Sequence, residues 1–248
     1  MTNGTIFARD EDLQALRVKL ALRRSFLFHG PPGAGKTLLL RALLPEFPAF
    51  LYCEKPSGNL AMFRSLAVAL LERGNPRIAR SAGGGGAQAL AAKSAVSAKG
   101  IVMDALRDGG YGIVLDHLRM PSQSFAASVR EVLGWGRTPV VAVAHSPHME
   151  DLGYLAAFYP DRADRLELKN FTPEVAGEFA RRAIERSGIQ ARNVPEFLER
   201  VLEVSRGNPG AILSLVAMAS QPKYLAGDHI KIAPLYIDFR LNWNAPAR

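Results

Sequence analysis

Cysteine is nearly absent from this chain: Cys53 is the one cysteine in 248 residues. An internal disulfide is therefore excluded, no thiolate cluster is available for a metal, and Cys53 itself is expected to pack as a small apolar residue at a strand end. Long apolar runs are missing too, and none approaches the roughly 18 residues a membrane-crossing helix needs. The first residues lack an apolar stretch and soon meet Asp10, Glu11 and Asp12, so neither a secretory leader nor a membrane partner is expected and the cytoplasm is the expected compartment. Between Arg73 and Lys99 acids are absent, while five cations (Arg73, Arg77, Arg80, Lys93, Lys99) share the stretch with Gly83 to Gly86. That composition predicts a flexible basic segment: a solvated loop leading into an alanine-rich helix, or a contact for DNA or an acidic partner. Aromatic rings are missing from it as well, so it has nothing on which single-stranded bases would stack.

What is present begins at Gly30. Gly30, Pro31, Pro32, Gly33, Ala34, Gly35, Lys36 and Thr37 complete the spacing G-x-x-x-x-G-K-[ST] of a phosphate-binding loop. Its glycines permit positive φ, which lets backbone N–H groups approach a β-phosphate. Lys36 would neutralise β and γ oxygens, and Thr37 would offer a hydroxyl to Mg²⁺. The flanks suit it: Ser25 to His29 has the pattern of a short buried strand, and Thr37 to Leu44, starting with Leu38 against the loop, that of a helix whose N-terminus faces the anion. ATP or ADP with Mg²⁺ is the expected ligand.

A second signal is the apolar run from Tyr111 to Leu115, closed by Asp116 about 80 residues after Lys36, where a metal-holding carboxylate is expected. Around these, strand and helix patterns alternate. Strands are expected at Ala49 to Cys53, Pro139 to Ala144 and Arg165 to Leu168; helices are expected at Asn59 to Arg73, Ser94 to Arg107 and Ser122 to Gly134. Apolar strands without alternation imply an α/β fold with a parallel sheet covered on both faces. From Thr172, a helix cap followed by Pro173, the period is helical: Pro173 to Ser187, Val194 to Ser205 and Pro209 to Ser220. The expected division is an αβα core over 1–170, a helical lid over 171–222, and an extension over 223–248 folded back on the body through its aromatic and aliphatic residues.

These residues together resemble the AAA+/STAND group of P-loop ATPases. The resemblance is carried by Phe7-Ala8-Arg9-Asp10-Glu11, the loop, the Asp116 strand, His145-Ser146, Phe171-Thr172-Pro173-Glu174 and Arg206-Gly207-Asn208-Pro209, and the chain is similar to bacterial transposition-regulator and secretion ATPases and to archaeal STAND-type ATPases. It implies a five-stranded sheet in the order 5-1-4-3-2, an adenine pocket lined near Arg9, a γ-phosphate sensor at His145 or Ser146, and a base-contacting element around Pro209. It also implies a homo-oligomer, with Arg162 or Arg165 as a finger toward a neighbour's nucleotide.

The departures bear on mechanism. Asp116 is followed by His117, where efficient hydrolases of the group carry glutamate, so His117 and Glu54 are both candidate bases. Gly207-Asn208-Pro209-Gly210 stands where many relatives have Gly-x-x-Arg. The functions compatible with this set are an ATPase coupling nucleotide state to conformation or assembly, a slow nucleotide-gated switch, a DNA-associated ATPase regulator and, less well matched, a small-molecule phosphotransferase.

Overall fold

A computed structural model describes residues 6–108 and 110–243; the last five residues of the expected C-terminal extension lie outside this range. The chain divides into two compact units, one of residues 10–30 and 36–168, the other of residues 1–9, 31–35 and 169–248.

The first unit opens with helix α1 (Asp10–Ala21), whose first turn carries Asp10, Glu11 and Asp12 against the positive end of the helix dipole. Five parallel strands follow: β1 (Phe26–His29), β2 (Phe50–Cys53), β3 (Gly112–Leu115), β4 (Val140–Ala144) and β5 (Arg165–Glu167). Their order is β2-β3-β4-β1-β5, the expected order counted from the opposite edge. The central strands are almost wholly apolar, and the register runs Phe28 with Val143 on one side and Leu166 on the other, Leu115 with Cys53 and with Ala142. Helices α2 (Lys36–Leu43), α3 (Asn59–Glu72), α4 (Pro76–Ala82), α5 (Gly86–Ala91), α6 (Ala95–Arg107), α7 (Gln123–Gly134) and the single turn α8 (Met149–Leu152) complete the unit.

The core includes Leu51, Phe63, Leu66, Leu70, Val102, Leu106, Phe125 and Ala142, all at most 1% exposed. At about 25 cal/mol per Å² each large side chain contributes about 2 to 3 kcal/mol, and truncating one such as Leu66 to alanine would cost about 2 to 5 kcal/mol.

One expectation is corrected here. The basic segment is not a flexible loop: α4, a 3₁₀ turn over Gly83–Gly85 and α5 occupy it. Asn75 caps α4 by accepting from Arg77 N and Ile78 N, and Ile78, Ala82 and Leu90 are buried in the core against α3 and α6. The glycines act as joints, with Gly83 and Gly86 at φ 54° and 52°, where only glycine turns a chain between helices without strain.

The second unit contains α9 (Pro173–Ser187), α10 (Val194–Ser205), α11 (Pro209–Ala219), a hairpin of β6 (Leu225–Ala226) with β7 (His229–Ile230), and α12 (Ile232–Trp243). Thr172 caps α9 by accepting from Val175 N, and Gly188 ends it in the left-handed region at φ 69°, as the sequence signals require. Tyr224, Ile230, Leu235 and Phe239 of the C-terminal stretch are buried with Ala180, Phe197, Ile212 and Leu215 of α9, α10 and α11, so this stretch packs on those three helices.

Candidate nucleotide site

Two residues decide the geometry of the loop. Gly30 continues β1, its N–H donating to His145 O at 3.2 Å; with φ 155°, a Cβ there would meet Leu168 O at 2.1 Å, so no other residue fits. Gly33 has φ 78°, and a Cβ on it would stand 2.7 Å from Asn208 Oδ1 and 3.0 Å from Trp243 Cη2. The loop segment 31–35 is gripped by its own unit: Asn208 Nδ2 donates to Pro32 O (2.8 Å), Gly210 N to Gly33 O (3.0 Å) and Arg9 Nη2 to Ala34 O (3.1 Å). Asn208 also caps α11, accepting from Ala211 N, and Pro209 occupies the first helical position.

Lys36 opens α2, is 9% exposed, and donates from Nζ to Gly30 O at 2.6 Å. Burial pushes its ammonium down to about 8, with Asp116 and Asp151 pulling the other way. An anion beside this ammonium would raise the value again by favouring the charged form. Leu38, by contrast, is exposed.

Asp116, 2% exposed, follows β3 and is held from three directions. Oδ2 accepts from Thr37 Oγ1 at 2.8 Å and from Tyr52 Oη at 2.7 Å, and Oδ1 accepts from His117 N at 2.7 Å. Hydroxyl and carboxylate oxygens at this separation form a hard donor pair that fits Mg²⁺. His117 sits at φ 55°, unusual for a residue with a Cβ, and its Nε2 lies 3.1 Å from Thr37 Oγ1. The phenol of Tyr52 is pushed up by burial first and by Asp116 second.

The other candidates fall elsewhere. Glu54 directly follows β2 but is engaged by Arg41 Nη2 at 2.8 Å, and both side chains are half exposed. His145 follows β4, half buried, its imidazole lowered by burial and then by the charge on Lys36. Ser146 donates to Asp151 Oδ2 at 2.5 Å. Arg165 spends its guanidinium on Tyr159 O (2.9 Å) and Pro160 O (3.1 Å), holding its own connection; Arg162 is exposed. Sequence reasoning missed Tyr52 and Arg41. The available signal was a phenol inside an apolar strand, two residues before Glu54 and one register step from the Asp116 strand end.

In the second unit, a cavity of about 780 Å³ is lined by Phe7, Ala8, Phe179, Arg182, Leu213 and Val216 among others. Phe7, Phe171 and Phe179 form a mutual ring cluster with centroids 5.3 to 6.1 Å apart, and the Arg9 guanidinium lies 4.3 Å from the Phe171 centroid. Flat apolar walls with cationic edges suit an aromatic base.

Among solved structures, the chain is similar to the Walker-type ATPase PABY2304 of Pyrococcus abyssi (17% identity, TM-score 0.61, covering 96% of this chain and 72% of that one). It is also similar to Cdc6p from Pyrobaculum aerophilum (16%, 0.58, 88% and 63%) and to the Aeropyrum pernix ORC1 protein, solved in complex with DNA (18%, 0.59, 96% and 66%). These likenesses are of fold, the P-loop NTPase arrangement of a five-stranded parallel sheet flanked by helices. This chain spans between 63% and 72% of the length of those three proteins. No family model matches the sequence, and no curated protein matches it.

Proposed function

We propose that this chain binds ATP and ADP with Mg²⁺ and works as an AAA+ ATPase of STAND-like type, converting nucleotide state into conformational change or assembly. The observation that carries it is the contact of Thr37 Oγ1 with buried Asp116 Oδ2 at 2.8 Å, in a chain that also holds a buried lysine on an intact glycine loop. Thr37 and Asp116 would hold the cation, which when bound screens the phosphate oxygens and polarises them toward attack. Lys36 and the amides of Gly33 to Thr37 would bind the phosphates, and the cavity beside Phe7 and Arg9 would take the base.

A slow, nucleotide-gated switch is the favoured variant of this function. The position after Asp116 holds a strained histidine rather than a carboxylate, and Glu54 is tied to an arginine. Client, assembly through Arg162 and DNA contact through residues 73–99 belong to the same proposal, at a coarser level. The test is Lys36→Ala, which should weaken ATP binding at least about 10-fold and abolish turnover while leaving the fold intact. Calorimetry, phosphate release and circular dichroism check it; equal ATP affinity in the variant and the parent would refute it. Single-turnover hydrolysis distinguishes the switch from the cycling enzyme.

A further inference from the structure

The second unit holds a groove of about 510 Å³ between α10 and α12. One wall is apolar, formed by Ile232, Tyr236 and Ile237 of α12; the other carries Glu196, Glu199 and Glu203 of α10. α12 is apolar on both of its sides. Leu235 and Phe239 face the core of the unit, whereas Ile237 and Leu241, one turn apart, are 58% and 69% exposed. A surface helix needs one apolar stripe to bury against its own fold, and nothing among the described residues covers this second, outward one.

The acids decide what kind of group fits there. Glu196, Glu199 and Glu203 recur at i, i+3 and i+7 on one face of α10, a row about 10 Å long. Glu203 is bound by Arg200, whose guanidinium also lies 4.6 Å from the Tyr236 ring centroid. The chain's own arginine thus displays the pairing this groove favours, a carboxylate at the edge of the cation and an aromatic face against it. Glu196 and Glu199, both exposed, make no ion pair among the described residues, although the chain has 31 Lys and Arg against 23 Asp and Glu and so has cations to spare. Both walls are helices, whose interior N–H and C=O groups are spent on their own ladders, so an extended strand would find no backbone to pair with. Side chains repeating at helical spacing do find counterparts along both walls.

We propose that the groove between α10 and α12 docks a basic amphipathic helix of a partner protein, with its apolar stripe on Ile232, Tyr236 and Ile237 and its lysines or arginines on Glu196 and Glu199. This surface goes beyond the nucleotide-binding function above and does not rest on it. Burial of the apolar stripe supplies most of the affinity. The acids set the orientation of the incoming helix and reject an acidic one, because like charges facing each other across the groove are repelled.

The probe is a fluorescein-labelled helix of about four turns made of Leu and Lys, with Leu on one face, titrated with the full chain and read by fluorescence anisotropy. Its counterpart carries Glu in place of every Lys. The Lys helix should bind saturably below about 100 μM at physiological salt, and the Glu helix should not. Glu196→Gln with Glu199→Gln should weaken binding about 5- to 10-fold and flatten its salt dependence; Ile237→Ser should weaken it by a similar factor with the salt dependence kept. Neutralising two exposed acids of the first unit, Glu72→Gln with Asp161→Asn, should change affinity less than about 2-fold. All of these are surface substitutions, and circular dichroism checks that the fold is kept. The proposal is overturned by absence of saturable Lys-helix binding, by equal binding of the Glu helix, by groove variants that bind like the parent, or by remote variants that weaken binding as much as the groove ones. A parent dimer in light scattering that Ile237→Ser dissolves overturns it too, since a second copy then fills the groove. ATP affinity is measured separately, so failure here leaves the nucleotide function standing.

Discussion

Asp116 and Glu54 directly follow neighbouring strands of one sheet, yet their surroundings are opposite. Asp116 is 2% exposed and accepts from two hydroxyls and a backbone amide; the Glu54 side chain is 49% exposed and meets one guanidinium, itself 56% exposed. A buried carboxylate is tolerable only when several elements converge to satisfy it, so its position is specified by the fold. A half-exposed ion pair is worth at most about 1 kcal/mol and specifies little. The burial of a charge, more than its place in a motif, separates the candidate metal ligand from the candidate base.

The comparison breaks most visibly at Asp116. Asp116→Ala should remove Mg²⁺-dependent hydrolysis by about 10² or more and, by orphaning Thr37 and Tyr52, lower stability by about 3 kcal/mol. Tyr52→Phe should lower stability by only about 1 kcal/mol and raise the Mg²⁺ needed for half-maximal turnover. Steady-state kinetics and urea titration measure both; an Asp116→Ala protein with parental turnover would remove the asymmetry. A finer test sets Glu54→Gln against His117→Ala. If Glu54 leaves Arg41 to orient water, its variant loses about 10² in single-turnover rate and the histidine variant loses less. Small, equal losses would identify a switch with little intrinsic catalysis.

A third prediction concerns Lys36 in the nucleotide-free protein. Burial holds its folded-state value near 8, against 10.5 for an ordinary lysine. Between those values the unfolded chain keeps the proton and the folded chain does not, so this group makes stability rise as pH rises from about 8 to about 10.5. Below pH 8 the full penalty, about 3 kcal/mol, is present. Lys36→Met should therefore be more stable than the parent at pH 7, by a margin that shrinks toward pH 10.5. Urea midpoints across that range check the sign.

The smallest effect is expected from the basic stretch. Arg77 is paired with Asp108 and Lys99 with Glu131, while Arg73 donates to Pro48 O and Phe50 O. Arg80 and Lys93 make no ion pair among the described residues. Replacing Arg77, Arg80, Lys93 and Lys99 together by alanine should flatten the salt dependence of duplex DNA binding by no more than about two units, since phosphate contact by the other two cations must first break an ion pair. A loss of four units would mean that the pairs open on DNA.

The parallel sheet, the glycine loop, the Asp116 strand end and helices α9 to α11 were legible because each rests on local signals: apolar strands of four or five residues, glycines at fixed spacing, Thr172-Pro173 at a helix start. The strand order came through resemblance rather than periodicity. The helical state of residues 76–91 was hidden because glycines that articulate helices look like glycines that loosen a loop; only the burial of Ile78 and Leu90 tells them apart. Tyr52 was missed because the one signal for it, a phenol in an apolar strand, gains meaning only once the strand beside it is known, a non-local fact. The partners of Glu54 and Arg165 were hidden for the same reason.

The sheet order has a consequence for how the protein comes into being. β1 is the first strand synthesised, but it pairs only with β4 and β5, and the N–H of Gly30 bonds to His145 O. No strand partner for β1 exists until more than 110 further residues have been made. β2, β3 and the helices between them form most of their contacts among themselves, at shorter separations. The loop that comes earliest in the chain is thus framed among the latest, after long loop-closure costs have been met. Until then its Gly-Pro-Pro-Gly run has no strand to hold it, and a nascent chain truncated before Val140 carries the whole phosphate motif without the sheet that shapes it.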